Sequence, residues 1–100
     1  MTAILFRSNN NNAIISKELL MKLYKYNGSA NVSGQRIRKR REELGLSQEE
    51  LAGKLQLAGL LIGQKAISRI ETGERVVPDF ELFYFSEALR VSVAELLGGE

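Results

Sequence analysis

Hydrophobic positions after residue 33 recur with the spacing of short amphipathic helices. No stretch of this region shows the sustained alternation of apolar and polar residues that is typical of a strand. Start and stop signals divide it into five predicted helices, at 34–44, 48–58, 64–72, 78–89 and 93–97. The short links between them favour a compact all-α bundle.

Capping residues place the beginnings of these helices. Ser47 and Glu50 have the spacing of a capping box, in which each side chain binds the backbone amide of the other residue. The same spacing recurs before the last helix. Ser33 precedes the first helix, and we expect its hydroxyl to cap that helix.

The chain upstream of residue 33 has a different pattern. Four successive asparagines, residues 9–12, predict a loop, whereas apolar residues spaced by four from Ile15 onward favour an accessory helix over 13–25. Asn27 and Gly28 then predict a turn. We divide the chain into an N-terminal extension, a helical domain and a tail: residues 1–32, 33–97 and 98–100.

Composition narrows the possible functions. The 100 residues include 44% hydrophobic and 26% charged side chains, which is the balance of an ordinary globular domain. Cysteine and histidine are both absent, so disulfides, zinc sites of the Cys/His type and histidine-based catalysis are excluded. No glycine-rich phosphate loop is present either. We expect no enzyme activity, no cofactor and no metal site.

The sequence also argues against membrane insertion and favours binding to a polyanion. No apolar run is long enough to span a bilayer, and the first residues lack the basic start of a signal peptide, so we predict a cytoplasmic protein. Residues 1–76 carry 13 basic and 7 acidic side chains, whereas residues 77–100 carry 1 basic and 5 acidic. Such asymmetry suits a nucleic-acid partner, although an unevenly charged solvated surface explains it equally well.

The predicted helix over 64–72 has two contrasting faces. One is apolar and the other is polar and cationic: Ala66, Ile67 and Ile70 on the first, and Gln64, Lys65, Ser68, Arg69 and Thr72 on the second. Arginine and lysine donate to guanine, glutamine pairs with adenine through two hydrogen bonds, and serine reaches base or phosphate. By itself, this pattern also fits an ordinary surface helix.

Three blocks in order resemble the Cro/cI-type helix-turn-helix regulators of bacteria and phages, also called the Xre family. They are Ile37–Ala52, Ile67–Arg75 and Glu87–Leu97. The resemblance implies an all-α, five-helix lambda-repressor-like fold. It also implies a sequence-specific transcriptional regulator, in most cases a repressor, that binds double-stranded DNA with helix 64–72 in the major groove.

The resemblance also assigns roles to individual residues. It implies that Gln48 binds phosphate, that Arg75 binds phosphate from the loop after the reading helix, and that base edges are read by Gln64, Lys65, Ser68 and Arg69. Arg41 and Glu71 match family positions that form a partly buried ion pair, which is structural.

One region departs from the family pattern. Between Ser47 and Ile67, this chain has about five residues more than family members have between the two matching positions. We expect them to lengthen the second helix by about a turn and to broaden the link that follows it. We also expect Leu60 and Leu61 to pack onto the upstream segment.

Protein partners remain open at this point. A single small domain makes few base contacts, so we expect a homodimer on a two-fold DNA site. Phe80, Phe83 and Tyr84 form an aromatic face that fits either a dimer contact or packing against residues 13–26. The alternative function is an antitoxin-like or regulatory module that binds another protein through this face or through residues 1–32, with DNA binding secondary.

Overall fold

The computed structural model describes residues 6–7, 13–14 and 25–99. Five α-helices lie within these residues, and each begins and ends within one residue of its predicted position. None of them is both long and apolar enough to cross a membrane. The helices are α1 (Gly34–Glu43), α2 (Gln48–Leu57), α3 (Gln64–Glu71), α4 (Asp79–Leu89) and α5 (Val93–Leu96).

Two short strands precede the helices. β1 (Phe6–Arg7) pairs antiparallel with β2 (Ala13–Ile14), and Phe6 lies opposite Ile14. The prediction of an accessory helix over 13–25 is therefore wrong at its start, because Ala13 and Ile14 are extended. The apolar spacing behind that prediction begins only at Ile15, and residues 15–24 lie outside the described part of the chain.

The five helices enclose a core of aliphatic side chains around one phenylalanine. Its members come from every helix and from the connection between α2 and α3: Ile37, Leu51, Ala52, Leu55, Leu60, Ile62, Ile67, Ile70, Leu82, Phe85, Leu89 and Leu96. These side chains fix how the helices pack, and so they fix the direction in which α3 presents its outer face.

The connection from Ala58 to Gly63 absorbs the extra residues. Helix α2 ends at Leu57, within one residue of its predicted end, and the chain then leaves the helical conformation. Leu60 is buried in the core of the helical domain, while Leu61 is 91% exposed. The expectation that both leucines pack onto the upstream segment is wrong, because the path of the connection turns neighbouring side chains in opposite directions.

The structure confirms the predicted cap of α2 and shows that the predicted cap of α1 is wrong. The Ser47 hydroxyl accepts from the Glu50 amide at 3.0 Å, and the Glu50 carboxylate accepts from the Ser47 amide at 2.9 Å, which confirms the capping box. Ser33 makes no side-chain cap, because its backbone is already in the helical region and its side chain is buried. Instead, the Asn31 side chain accepts from the Gly34 amide at 2.7 Å.

Candidate nucleic-acid interface

Helix α3 has an inner face fixed in the domain and an outer face free to meet a ligand. Ile67, Ile70 and Glu71 are buried on the inner face. On the outer face, Lys65 and Arg69 are exposed. Gln64 and Ser68 are half-buried. The four predicted base-reading residues therefore lie together.

A buried ion pair holds the end of α3 against α1. The Arg41 guanidinium donates to both carboxylate oxygens of Glu71, with N–O distances of 2.7 Å and 2.9 Å. Its remaining terminal nitrogen donates to the Leu46 carbonyl at 2.7 Å, so the turn between α1 and α2 joins the same arrangement. The hydrogen bond to Glu71 raises the pKa of Arg41 above its ordinary value. The pair expected from the resemblance is thus present and structural.

A chain of amide hydrogen bonds connects this ion pair to the outer face. Gln48 Nε2 donates to Glu71 Oε1 at 3.0 Å, and Gln64 Nε2 donates to Gln48 Oε1 at 2.6 Å. Sequence reasoning placed Gln48 and Gln64 in the same interface but missed the bond between them, because sixteen residues separate the two. Each amide nitrogen keeps a second hydrogen that can be donated to a ligand.

The two exposed cations of α3 are only weakly engaged. Arg69 Nε lies 4.0 Å from Glu74, and both side chains are 65% exposed, so water screens this pair. Within residues 25–99, Lys65 has no ion pair or hydrogen bond from its side chain. Both cations are therefore available to a polyanion at little cost.

Arg75 has a different environment from the one that the resemblance implies. Its guanidinium donates to both carboxylate oxygens of Glu81, at 2.8 Å and 3.1 Å, and Glu81 is buried in α4. These hydrogen bonds raise the pKa of Arg75. The arrangement disfavours the expected phosphate contact, because binding phosphate would leave a buried carboxylate unpaired. No helical spacing links residues six apart, so the sequence carried no sign of this pair.

The aromatic face on α4 is open to solvent. Phe80 and Phe83 are 54% and 65% exposed, while Tyr84 is half-buried against the core. With Glu87, these three side chains line a surface groove of about 420 Å³.

In residues 25–99, no group of three or more acidic side chains is placed to hold a metal ion.

Comparisons with known proteins agree with this geometry. The helix-turn-helix family model matches residues 37–96. A search of curated protein sequences finds no significant match.

Several solved structures are similar. The restriction-modification controller protein C.AhdI from Aeromonas hydrophila is 32% identical, over 63% of this chain and 84% of that one, with a TM-score of 0.55. The P22 c2 repressor, solved with a synthetic operator, is 32% identical over 69% of this chain and 97% of that one, with a TM-score of 0.59. A chain of the SinR–SinI protein complex is 36% identical over 65% of this chain and 59% of that one, with a TM-score of 0.55.

The family match covers more than half of the chain and includes every residue of the interface described above. The similar structures share the same helical domain. The chain belongs to the Cro/cI-type helix-turn-helix family of DNA-binding transcriptional regulators.

Proposed function

We propose that this protein is a sequence-specific transcriptional repressor whose helix α3 reads base pairs in the major groove. The observation that carries the proposal is the contrast between the two faces of α3. The inner face is fixed by Ile67, Ile70 and the Arg41–Glu71 ion pair. Because that face cannot shift, the outer side chains keep one register against a ligand, which sequence recognition requires.

Each outer residue has a chemical role in this proposal. Lys65 and Arg69 donate to guanine, Ser68 donates to a base or a phosphate, and Gln64 pairs with adenine through its carbonyl and its second amide hydrogen. The second amide hydrogen of Gln48 is donated to phosphate at the start of α2. Arg75 has a positioning role, since its guanidinium holds the start of α4 through Glu81.

The proposal includes a homodimer on a two-fold DNA site. One domain of this size makes too few base contacts for tight specific binding, and two copies reading half-sites about one helical turn apart solve that problem. The P22 c2 repressor was solved on an operator, which supports operator binding here. Because the proposed ligand is genomic DNA, we place the activity in the cytoplasm, as the sequence predicts.

A second candidate is a protein contact through the exposed aromatic face. Phe80 and Phe83 offer more apolar surface than a regulator needs for DNA alone. A similar structure contains the SinR and SinI proteins in one complex. We place the contact with a second subunit or a partner protein on this face, or on residues 1–32, as an addition to DNA binding.

Selection of bound duplexes from a random DNA pool tests the proposal. We expect a two-fold symmetric site whose affinity falls as salt rises, because binding releases counterions from phosphate. Arg69→Ala should weaken the free energy of binding to the selected site by about 1–3 kcal/mol and relax the preference at one base pair of each half-site.

The matched control is Arg38→Ala, which removes the same charge from an exposed side chain paired with Glu42 on α1. This variant should keep the sequence preference. The proposal fails if no preferred sequence emerges, or if Arg69→Ala and Arg38→Ala weaken all sequences by one common factor.

A further inference from the structure

The segment ahead of the family match packs onto the end of the reading helix. The family model begins at residue 37, yet residues 29–34 contact the last turn of α3 and the loop that follows it. We propose that Asn31 is a positioning residue for DNA reading, which sets the end of α3 and the loop over 72–75 relative to the DNA. This inference rests on the proposed function and names a further residue on which that function depends.

The Asn31 side chain joins three parts of the domain through both hydrogens of its amide nitrogen and through its oxygen. Its nitrogen donates to the Ile70 carbonyl at 2.9 Å and to the Arg75 carbonyl at 2.8 Å. Its oxygen accepts from the Gly34 amide at 2.7 Å. The Ile70 carbonyl lies in the last turn of α3 and also accepts from the Gly73 amide at 3.0 Å, so Asn31 adds a side-chain donor at the point where the helix ends.

The backbone in this region is packed too closely for side chains at two glycines. The Ala30 amide donates to the Gly73 carbonyl at 2.8 Å. Gly73 has φ +81°, and a methyl group there would strike the Ser29 hydroxyl. A methyl group at Gly34 would strike the Ile70 carbonyl oxygen. The start of α1, the preceding turn and the end of α3 therefore move as one body.

This contact matters for recognition because α3 is short. The helix has 8 residues, which is little more than two turns, so a small rotation at its end displaces Arg69 relative to the bases. The Gln48–Gln64 bond acts at the start of α3, and the Arg41–Glu71 pair holds the side chain of its last residue. Asn31 acts at that same end through the backbone, where the chain leaves α3 for the loop over 72–75. Specific sites lose function when supporting contacts allow shifts of about 1 Å.

Two substitutions separate the parts of this contact. Asn31→Ala removes all three hydrogen bonds, whereas Asn31→Asp keeps an oxygen for the Gly34 amide but turns a second oxygen toward the Ile70 and Arg75 carbonyls. We expect both variants to weaken binding to the duplex selected by the wild type about tenfold, while binding to a random-sequence duplex of equal length changes little. Dissociation constants are measured at a temperature at which circular dichroism shows each variant to be folded.

Leu96→Ala is the control for a loss of stability alone. Leu96 is buried in α5 and makes no hydrogen bond to α3 or its loop, so the variant should lower the melting temperature and keep the preference for the selected duplex. Ser29→Ala removes a hydroxyl that donates to the Asn31 carbonyl at 2.7 Å and accepts from the Asn31 amide at 3.3 Å, and it leaves the Asn31 side chain in place. It should give a smaller loss of preference, and it replaces Asn31→Ala if that variant does not fold.

The outcomes distinguish this inference from the proposed function. A wild-type protein with no preference between the two duplexes refutes the proposed function and the inference together. If the wild type discriminates and the folded Asn31 variants discriminate equally well, only the inference is refuted. The inference is also refuted if Leu96→Ala loses preference by the same factor as Asn31→Ala.

Discussion

Charged side chains that are buried in this domain are held in bidentate pairs. Arg41 pairs with Glu71, and Arg75 pairs with Glu81. The first pair was expected because the family resemblance names its positions. The second was not, because its partners have no regular spacing and the burial of Glu81 depends on how α4 packs. The presence of an arginine in the sequence therefore does not tell whether its guanidinium pairs with a buried carboxylate or is free to bind a ligand.

Removing Arg41 tests the structural role of the first pair. We expect Arg41→Met to lower the free energy of unfolding by about 3–5 kcal/mol, because it leaves the Glu71 carboxylate buried without its cation. Arg38→Met is the matched control, since Arg38 lies on the same helix in an exposed pair with Glu42, and its effect should stay within about 0.5 kcal/mol. Urea unfolding measures both, and similar losses in the two variants would contradict this assignment.

Glu50 makes part of the stability depend on pH. Hydrogen bonds from the Ser47 backbone amide and with the Ser47 side chain lower the pKa of Glu50 below its ordinary value of 4.5. Its charged form therefore stabilises the fold at neutral pH, and this contribution is lost as pH falls through the lowered pKa. The difference in stability between wild type and Glu50→Gln should shrink from pH 7 toward pH 3.

Urea unfolding at several pH values measures this difference. Glu49→Gln removes the same charge from the same turn without touching the capping box, so it should show a smaller difference from wild type at pH 7. A Glu50→Gln difference that does not change with pH would contradict the prediction.

At the level of elements, the helices were predictable because their boundaries are set by local chemistry. Capping residues, glycines and apolar spacing act over three or four residues, and all five helices end within one residue of prediction. The connection from Ala58 to Gly63 was not predictable in the same way. Leu60 and Leu61 are the same residue type, and only the path of the loop decides which one enters the core.

Alanine substitutions at these neighbouring leucines test that path. Leu60→Ala should destabilise the protein by about 2–4 kcal/mol, because it leaves a cavity under α2 and α3. Leu61→Ala should change the stability by no more than about 0.5 kcal/mol, since its side chain is already in water. Thermal or urea unfolding of the two variants gives the comparison, and equal effects would show that the loop takes another course.

At the scale of the whole molecule, the contacts that the sequence did not reveal are those between residues far apart in the chain. The fold class and the outer face of α3 follow from periodicity and the family resemblance. Asn31 reaches Ile70 across 39 positions and Arg75 across 44, and no local pattern predicts such contacts. Ser33 was the expected cap because it has the right type and place, yet the tertiary contact gave that role to Asn31. An asparagine three residues before Gly34 was the one local sign of it.

The bond between Gln48 and Gln64 limits how the protein can be retargeted to new operators. Lys65, Ser68 and Arg69 are not tied into the buried network, so a library varying those three positions should yield altered preferences in a folded scaffold. Position 64 is different, because its amide is the last link of a chain that begins at Arg41. Under the proposed reading role of α3, a substitution at Gln64 therefore requires a matching substitution at position 48, whereas positions 65, 68 and 69 can be varied one at a time.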